Sequence, residues 1–386
     1  MLLLIVIYIA FISLGLPDSL FGVSWPVLHV EFGIAESFAS VYTIITAICT
    51  GGVSFVAGRV IRKFGTGKVT FFSTLLTAIG LVGISFAPNI VVMIIFAIIL
   101  GYGAGAIDTG LNSYVSLHYK AKYLNWLHCF WGMGVAISPM IMSVFLGAGE
   151  GQWRNGYRVV ALLQLAIAMI ILATLKKWDP AVEQEQRDSA KADMSMGQLF
   201  RLKGLPTSIL SLGLYCGAEY LIGTWGATYA VHEFDLAPEV AAKWVSLYYG
   251  GIMLGRIIVG FVPEHIGDDM RVKCGVLISL AGIVFLALPV GNIALAGLLL
   301  IGIGFGPVFP AVIHSVPYRF GSTYSADLTG YHMGGAFTMG YIAQLSFGYV
   351  AVLTGYGILP FILLGMILGV YILHGITIRI LRSAKG

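Results

Sequence analysis

Twelve times along this chain, apolar residues continue for the length of a bilayer crossing, which takes about 20 residues per helix. The runs cover residues 2–30, 37–60, 67–87, 90–116, 122–147, 157–177, 204–232, 240–262, 271–289, 292–316, 324–352 and 357–380. Backbone in hydrocarbon must satisfy its own N–H and C=O groups, so such runs are built as helices. Composition agrees. The 386 residues are 58% hydrophobic and 10% charged, where a soluble domain is nearer a quarter charged. The predicted fold is an all-α polytopic membrane protein with twelve transmembrane helices, and the bilayer is its first partner. Leu2–Ile12 runs on into a full-length span, so it is expected to be part of the first helix and not a cleavable signal.

Most breaks between spans are short, such as the turns Pro88–Asn89 and Gly291–Asn292. The exception is the polar stretch Trp178–Lys203, whose end at Met194–Lys203 has the character of a short helix lying on the membrane surface. It divides the chain into an expected six-helix bundle at 1–177, a linker at 178–203 and a second six-helix bundle at 204–386. With the N-terminus inside, inner loops and tails hold 18 of the 22 Lys and Arg residues and outer loops hold three, with Arg256 inside a span. Positive charge marks the cytoplasmic side. Both termini and the linker are therefore expected in the cytoplasm, in a multi-pass protein of the plasma or inner membrane. The net charge of +4 lies in these loops, so it carries no implication of nucleic acid.

The two halves repeat. Asp18-Ser-Leu-Phe-Gly22 aligns with Glu219-Tyr-Leu-Ile-Gly223 at an offset of 201, as do Gly101, Gly103 and Gly105 with Gly302, Gly304 and Gly306. Gly58 and Gly65 align with Gly260 and Gly267, and Gly132 with Gly334, at 202. Six helices is an even number, so the halves share one topology. They are expected to be related by an axis along the membrane normal, with a site between them near the midplane.

The polar residues of the spans concentrate in Gly101–Pro139. Gly101, Gly105, Asp108 and Asn112 share one helix face, and Asn125, His128, Gly132 and Pro139 share another. A carboxylate, two amides and an imidazole in hydrocarbon are costly unless they face a cavity or a partner. The glycines let another helix approach.

This pattern resembles the major facilitator superfamily over essentially the whole chain. Gly58-Arg-Val-Ile-Arg-Lys-Phe-Gly65-Thr-Gly-Lys68 looks like that family's signature between the second and third helices, with Arg62 where the usual Asp stands. Within the superfamily, Gly105-Ala-Ile-Asp108-Thr-Gly-Leu-Asn112 and Asn125-Trp-Leu-His128-Cys-Phe130 resemble the fucose permease-like group of sugar:proton symporters, with His128 replacing a Gln. That group's first-helix Asp falls near Gly22, and the nearest acid is Asp18, one turn earlier. The resemblance implies the major facilitator fold of two six-helix pseudo-repeats, alternating access, a small-molecule substrate, protons as the coupling ion and a monomer.

Each candidate residue also has a plainer reading. Asp108 is either a proton carrier or a structural acid tied to backbone or to a lysine. Asn112 is placed to orient it or to bind a hydroxyl. Asp18 and Glu219 occupy equivalent places, each followed by a Gly and a Trp, Trp25 and Trp225. An acid, a gap and an indole suit a sugar ring, while the tryptophans alone also suit interfacial anchors. Asp18 follows Pro17, so it could instead satisfy backbone groups that the proline frees. His128, with Asn125 on its face, is expected to bind substrate, although a lone His is usually a satisfied core residue. His332 and Tyr331 lie on the span equivalent to that of His128 and are included; His314 lies near the inner end. Arg256 needs a counter-charge from Glu219, Asp108 or Asp327.

Phosphate-loop, metal-ligand and nucleophile-elbow motifs are missing, and the GxGxG runs at Gly101 and Gly302 lie inside spans, so an enzyme is not expected and no cofactor is implied. Cys49, Cys129, Cys216 and Cys274 read as buried free thiols. The function expected is proton-coupled uptake of a sugar or similar hydroxylated solute. Proton-driven efflux of amphiphilic compounds and Na⁺-coupled sugar transport are the alternatives.

Overall fold

The computed structural model describes residues 2–119, 121–178, 201–263, 265–321 and 325–383, and a few helical side chains, Asn125, Arg62 and Asp327 among them, lie outside the description. Every regular element described is helical. In chain order these are α1 (Leu2–Asp18), α2 (Leu20–Glu31), α3 (Ala39–Phe64), α4 (Thr66–Ser85), α5 (Ile90–His118), α6 (Ala121–Leu146), α7 (Trp153–Thr174), α8 (Leu205–Phe234), α9 (Pro238–Phe261), α10 (Asp268–Leu286), α11 (Gly291–Phe305), α12 (Val308–Phe320), α13 (Ser325–Thr354) and α14 (Leu359–Ser383).

Nine helical segments among the described residues are long and apolar enough to cross a membrane. They include α1 with α2 as one segment, Leu2–Glu31, and α11 with α12 as another, Gly291–Val316. The other three expected spans coincide with α3, α8 and α10. Their sequences are diluted by hydroxyl residues and charges, such as Glu219 in α8 and Asp268, Asp269 and Arg271 at the start of α10. The chain is thus an all-α, multi-pass membrane protein. Bulky apolar side chains such as Ile48, Phe72, Val91, Phe261 and Leu353 are exposed, as hydrocarbon-facing surfaces require. Cys49 and Cys216 are buried and Cys129 is half-buried, but Cys274 is exposed. That corrects the expectation of burial, and an apolar thiol suits a hydrocarbon-facing surface.

Local chemistry accounts for the ends. Asn89 caps α5, its side chain accepting from Val92 N at 3.0 Å. Gly65, at φ +89°, makes the turn from α3 to α4 in a conformation that L side chains avoid. Helix α1 stops at Asp18 because Pro17 carries no N–H, which removes the donor for the Ser13 carbonyl four residues earlier.

Residues divide into two compact units, Met1–Asp188 with Gly223–Tyr249, and Ser189–Ile222 with Gly250–Gly386. Inside each unit the same close packing recurs. In the first, a Cβ on Gly103 of α5 would lie 2.6 Å from the Ser73 carbonyl of α4 and 2.8 Å from the Thr77 side chain. In the second, a Cβ on Gly304 of α11 would lie 2.4 Å from the Gly275 carbonyl of α10 and 2.3 Å from Ser279. Residues 73 and 77 map to 275 and 279 at the repeat offset of 202, so the pseudo-symmetry read from glycine spacing is a symmetry of backbone contacts. Small residues at such crossings let helices meet where no hydrophobic force drives them together.

Candidate functional site

In the first unit the candidate polar residues lie on α1, α5 and α6, in an α5 pair and in separate contacts between α1 and α6. Asn112 sits one turn beyond Asp108 on α5, and its amide donates to Asp108 Oδ1 at 2.7 Å and to the Asp108 carbonyl at 3.0 Å. Both side chains are half-buried. His128 of α6 is half-buried and meets the Phe11 ring of α1 edge-on, centroids 5.8 Å apart. Three residues further along the same face, Trp131 Nε1 donates to Asp18 Oδ2 at 2.8 Å.

The break in α1 is built from both sides. Gln164 of α7, fully buried, donates its amide to the Ser13 carbonyl at 2.6 Å. It replaces the bond that Pro17 cannot make. Just past the break, Ser19 Oγ donates to the Val135 carbonyl at 2.9 Å and lies 2.7 Å from Ser138 Oγ. The carbonyl that Pro17 frees is thus met by Gln164. Asp18 is exposed, while Leu16, Pro17, Ser19 and Leu20 around it are buried. Trp131 and Gln164 are the partners of Asp18 and of the freed carbonyl that sequence reasoning missed. The signal for Gln164 was a lone amide in an otherwise apolar span; for Trp131 it was an indole one turn beyond His128.

Trp25 is fully buried, with Nε1 donating to the Glu36 carbonyl at 2.8 Å, and Trp225 is also fully buried. Neither ring lies at a surface as an interfacial anchor does. Asn125, the remaining amide of this group, lies outside the described side chains.

In the second unit, Glu219 of α8 and Arg256 of α9 are both buried. The guanidinium lies within electrostatic reach of the carboxylate, which Tyr215 also meets through a hydrogen bond. The Tyr215 hydroxyl lies 3.0 Å from the Phe305 carbonyl of α11 as well. Of the candidate acids whose side chains are described, Glu219 is within electrostatic reach of Arg256, and Asp327 lies outside the described side chains. His332 of α13 is fully buried with both ring nitrogens engaged, Nε2 by Ser208 Oγ at 2.9 Å and Nδ1 by the Leu328 carbonyl at 2.7 Å. Its neighbour Tyr331 packs against a small core of Leu205, Val316 and Leu328. His314, with Tyr318 and Arg271, surrounds Asp268 at the start of α10.

The architecture can be matched to known proteins. A profile of the Major Facilitator Superfamily covers residues 7–344. The chain belongs to that superfamily. Its members are membrane transporters and not enzymes, so an alternating-access secondary transporter is the frame for every residue above. A curated relative named "Probable sulfoacetate transporter SauU", from Cupriavidus necator, is 24% identical over 385 residues, covering 93% of this chain and 89% of its own. The "Glucose/mannose transporter GlcP" of Bacillus subtilis is 23% identical over 273 residues, covering 67% of each chain. Among solved structures, the E. coli fucose:proton symporter FucP superposes with a TM-score of 0.64 at 16% identity, covering 97% of this chain and 98% of that one. That likeness is one of fold.

Proposed function

We propose that this superfamily transporter takes up a small hydroxylated solute, a sugar or sugar derivative, together with protons. The observation that carries the reading is the Asp108–Asn112 contact, a carboxylate and an amide joined at 2.7 Å inside a span. A carboxylate that is alternately hydrated and enclosed changes its hold on a proton, and an amide beside it orients it. Asp108 is assigned the coupling role, with Asp18 and Glu219 as the other acids whose protonation enters the cycle. Asn112, Asn125, His128, Trp25, Trp225, Tyr331 and His332 remain the proposed solute-binding set. Among them, Asn112 and His128 have geometry that suits a ligand, whereas Trp25 and His332 are occupied by protein contacts. The sugar transporter among the relatives supports the substrate class.

The remaining architecture belongs to the same proposal. There are twelve spans in two bundles, 1–177 and 204–386, joined by a cytoplasmic linker, with both termini inside and a monomer as the working unit. A second reading, transport of a small organic anion, is favoured by the sulfoacetate relative, which covers most of the chain, and by the buried guanidinium of Arg256.

The test is accumulation in proteoliposomes of labelled glucose, fucose and xylose, set against sulfoacetate and other small carboxylates, with and without an inward proton gradient. Uptake of a sugar that rises with the gradient is the expected result. Accumulation of anions alone would replace it with the second reading, and dependence on Na⁺ instead of pH would make Na⁺, not the proton, the coupling ion.

A further inference from the structure

Outside the residues assigned to transport, one cluster of ionisable groups in the first unit joins segments far apart in sequence. We propose that Glu36, His29 and His232 form a proton-binding latch at the outer mouth, whose occupancy holds the end of α8 against the turn between α2 and α3. Its place at the outer mouth rests on the orientation proposed above; the latch itself does not depend on the substrate.

The geometry converges on one carboxylate. His232 Nε2 lies 3.0 Å from Glu36 Oε1 and 3.1 Å from Oε2, and His29 Nε2 lies 3.3 Å from Oε1. Glu36 opens the short turn Glu36–Phe38. Its backbone is held as well, by Trp25 Nε1 at 2.8 Å, and the Trp25 ring packs at 5.9 Å from that of His29. The cluster thus gives Trp25 a role that needs no solute.

Three features of the setting turn negative charge or a negative dipole end toward the imidazoles. The carboxylate is the first. The second and third are the helix ends, since His29 is in the last turn of α2 and His232 in the last turn of α8. A cation at a helix C-terminus meets the negative end of the helix dipole. Histidine is also the side chain that ordinarily changes charge between pH 5 and 8. Protonation turns a neutral N–H···O contact into a charge-assisted one, roughly twice as strong.

The neighbouring charges do not cancel this. Glu31 on α2 is committed to Trp153 Nε1 and Arg154 on α7. Glu233, beside Tyr229 on α8, and Asp235 in the following turn add negative charge on the same side. On α9, Glu239 lies near Gly147, and Lys243 follows one turn later.

Nearby, a Cβ on Gly22 of α2 would lie 2.2 Å from the Gly223 carbonyl of α8, so the two backbones meet there. The latch closes over this contact. By linkage, protons taken up by the joined form shift the population toward it, so acid should close this end and alkali should loosen it.

The experiment is a distance measurement between spin labels at Val30→Cys and Ala237→Cys, both exposed positions flanking the latch, with the four native cysteines replaced by Ser. Full-length protein in nanodiscs experiences one pH on both faces, so orientation does not enter. Lowering pH from 8 to 5.5 should raise the ratio of short to long distances about threefold or more, the scale of a partly exposed ion pair. Glu36→Gln should flatten the response with the long distance favoured. His232→Arg, with a fixed charge, should flatten it with the short distance favoured, which a merely structural role does not predict. No pH response in the parent, or the same response in Glu36→Gln, overturns the latch. Labelling of Val30→Cys in intact cells by an impermeant maleimide tests the side separately. Failure there overturns the proposed orientation while leaving the distance result standing.

Discussion

Pro17 and Gln164 should act as one unit, and a double-mutant cycle measures this. Pro17 deletes the backbone donor that would bond the Ser13 carbonyl, and Gln164 supplies a replacement at 2.6 Å from α7, with Ser13 and Gln164 both fully buried. Gln164→Leu removes that donor at similar bulk. A buried carbonyl left without a partner costs about 1–3 kcal/mol. Part of this is returned, because Gln164 Oε1 is itself buried without a hydrogen-bond partner among the described residues and leaves with the substitution. A net loss near the bottom of that range, about 1 kcal/mol, is expected.

In the Pro17→Ala background the residue-17 N–H returns and can bond Ser13 in the ordinary helical way. Gln164→Leu should then cost little or be neutral, giving a coupling energy of about 1 kcal/mol between residues 147 positions apart in sequence. The assay is thermal unfolding of the four proteins in one detergent, followed by the fluorescence of a buried-thiol dye. Additive losses would refute the idea that the amide replaces the proline's missing donor.

Three further outcomes are expected. Gly103→Ala and Gly304→Ala should each destabilise by about 1–3 kcal/mol, because each added methyl meets a backbone carbonyl across a helix crossing; equal melting shifts would show that the repeat is energetic as well as geometric. Asp108→Asn should abolish accumulation driven by a pH gradient yet spare counterflow between equal pools; uphill transport by the variant would end the coupling assignment. The Asp269 carboxyl is held below its usual value by His374 and by Arg319, against the opposing effect of burial. A depressed group stabilises the fold above its unfolded value and loses that contribution as pH falls through the folded one. Wild-type melting temperature should therefore drop more steeply than that of Asp269→Asn below about pH 4.

Much of the fold was legible because membrane spans carry long signals: apolar runs, short turns and a repeated glycine offset. The site was legible only where polar residues share a helix with their partner. Asp108 and Asn112 are one turn apart on α5, so spacing alone joins them. Asp18 and Trp131, or Glu36 and His232, are joined by tertiary packing over 113 and 196 positions, and no local period encodes such pairs. His332 shows how tertiary partners stay hidden from the sequence. Its place in the repeat suggested a ligand, but Ser208 and the Leu328 carbonyl occupy both nitrogens, and Ser208 lies on another helix, 124 positions away in sequence.

The displaced acid of the first span has a physical explanation in the same packing. By the resemblance, the first-helix Asp of the fucose permease-like group falls near the position that Gly22 fills here. At Gly22 any side chain would begin 2.2 Å from the Gly223 carbonyl and 3.0 Å from Thr224 Cα, so the close meeting of α2 and α8 leaves no room for a carboxylate. One turn earlier the chain is broken by Pro17, its freed carbonyl is satisfied by Gln164, and the residue after the proline emerges from buried neighbours into an exposed place. Asp18 stands there with Trp131 fixing one oxygen. The helix break thus provides what the glycine contact removes: a position in the first span where an acid is accessible and oriented.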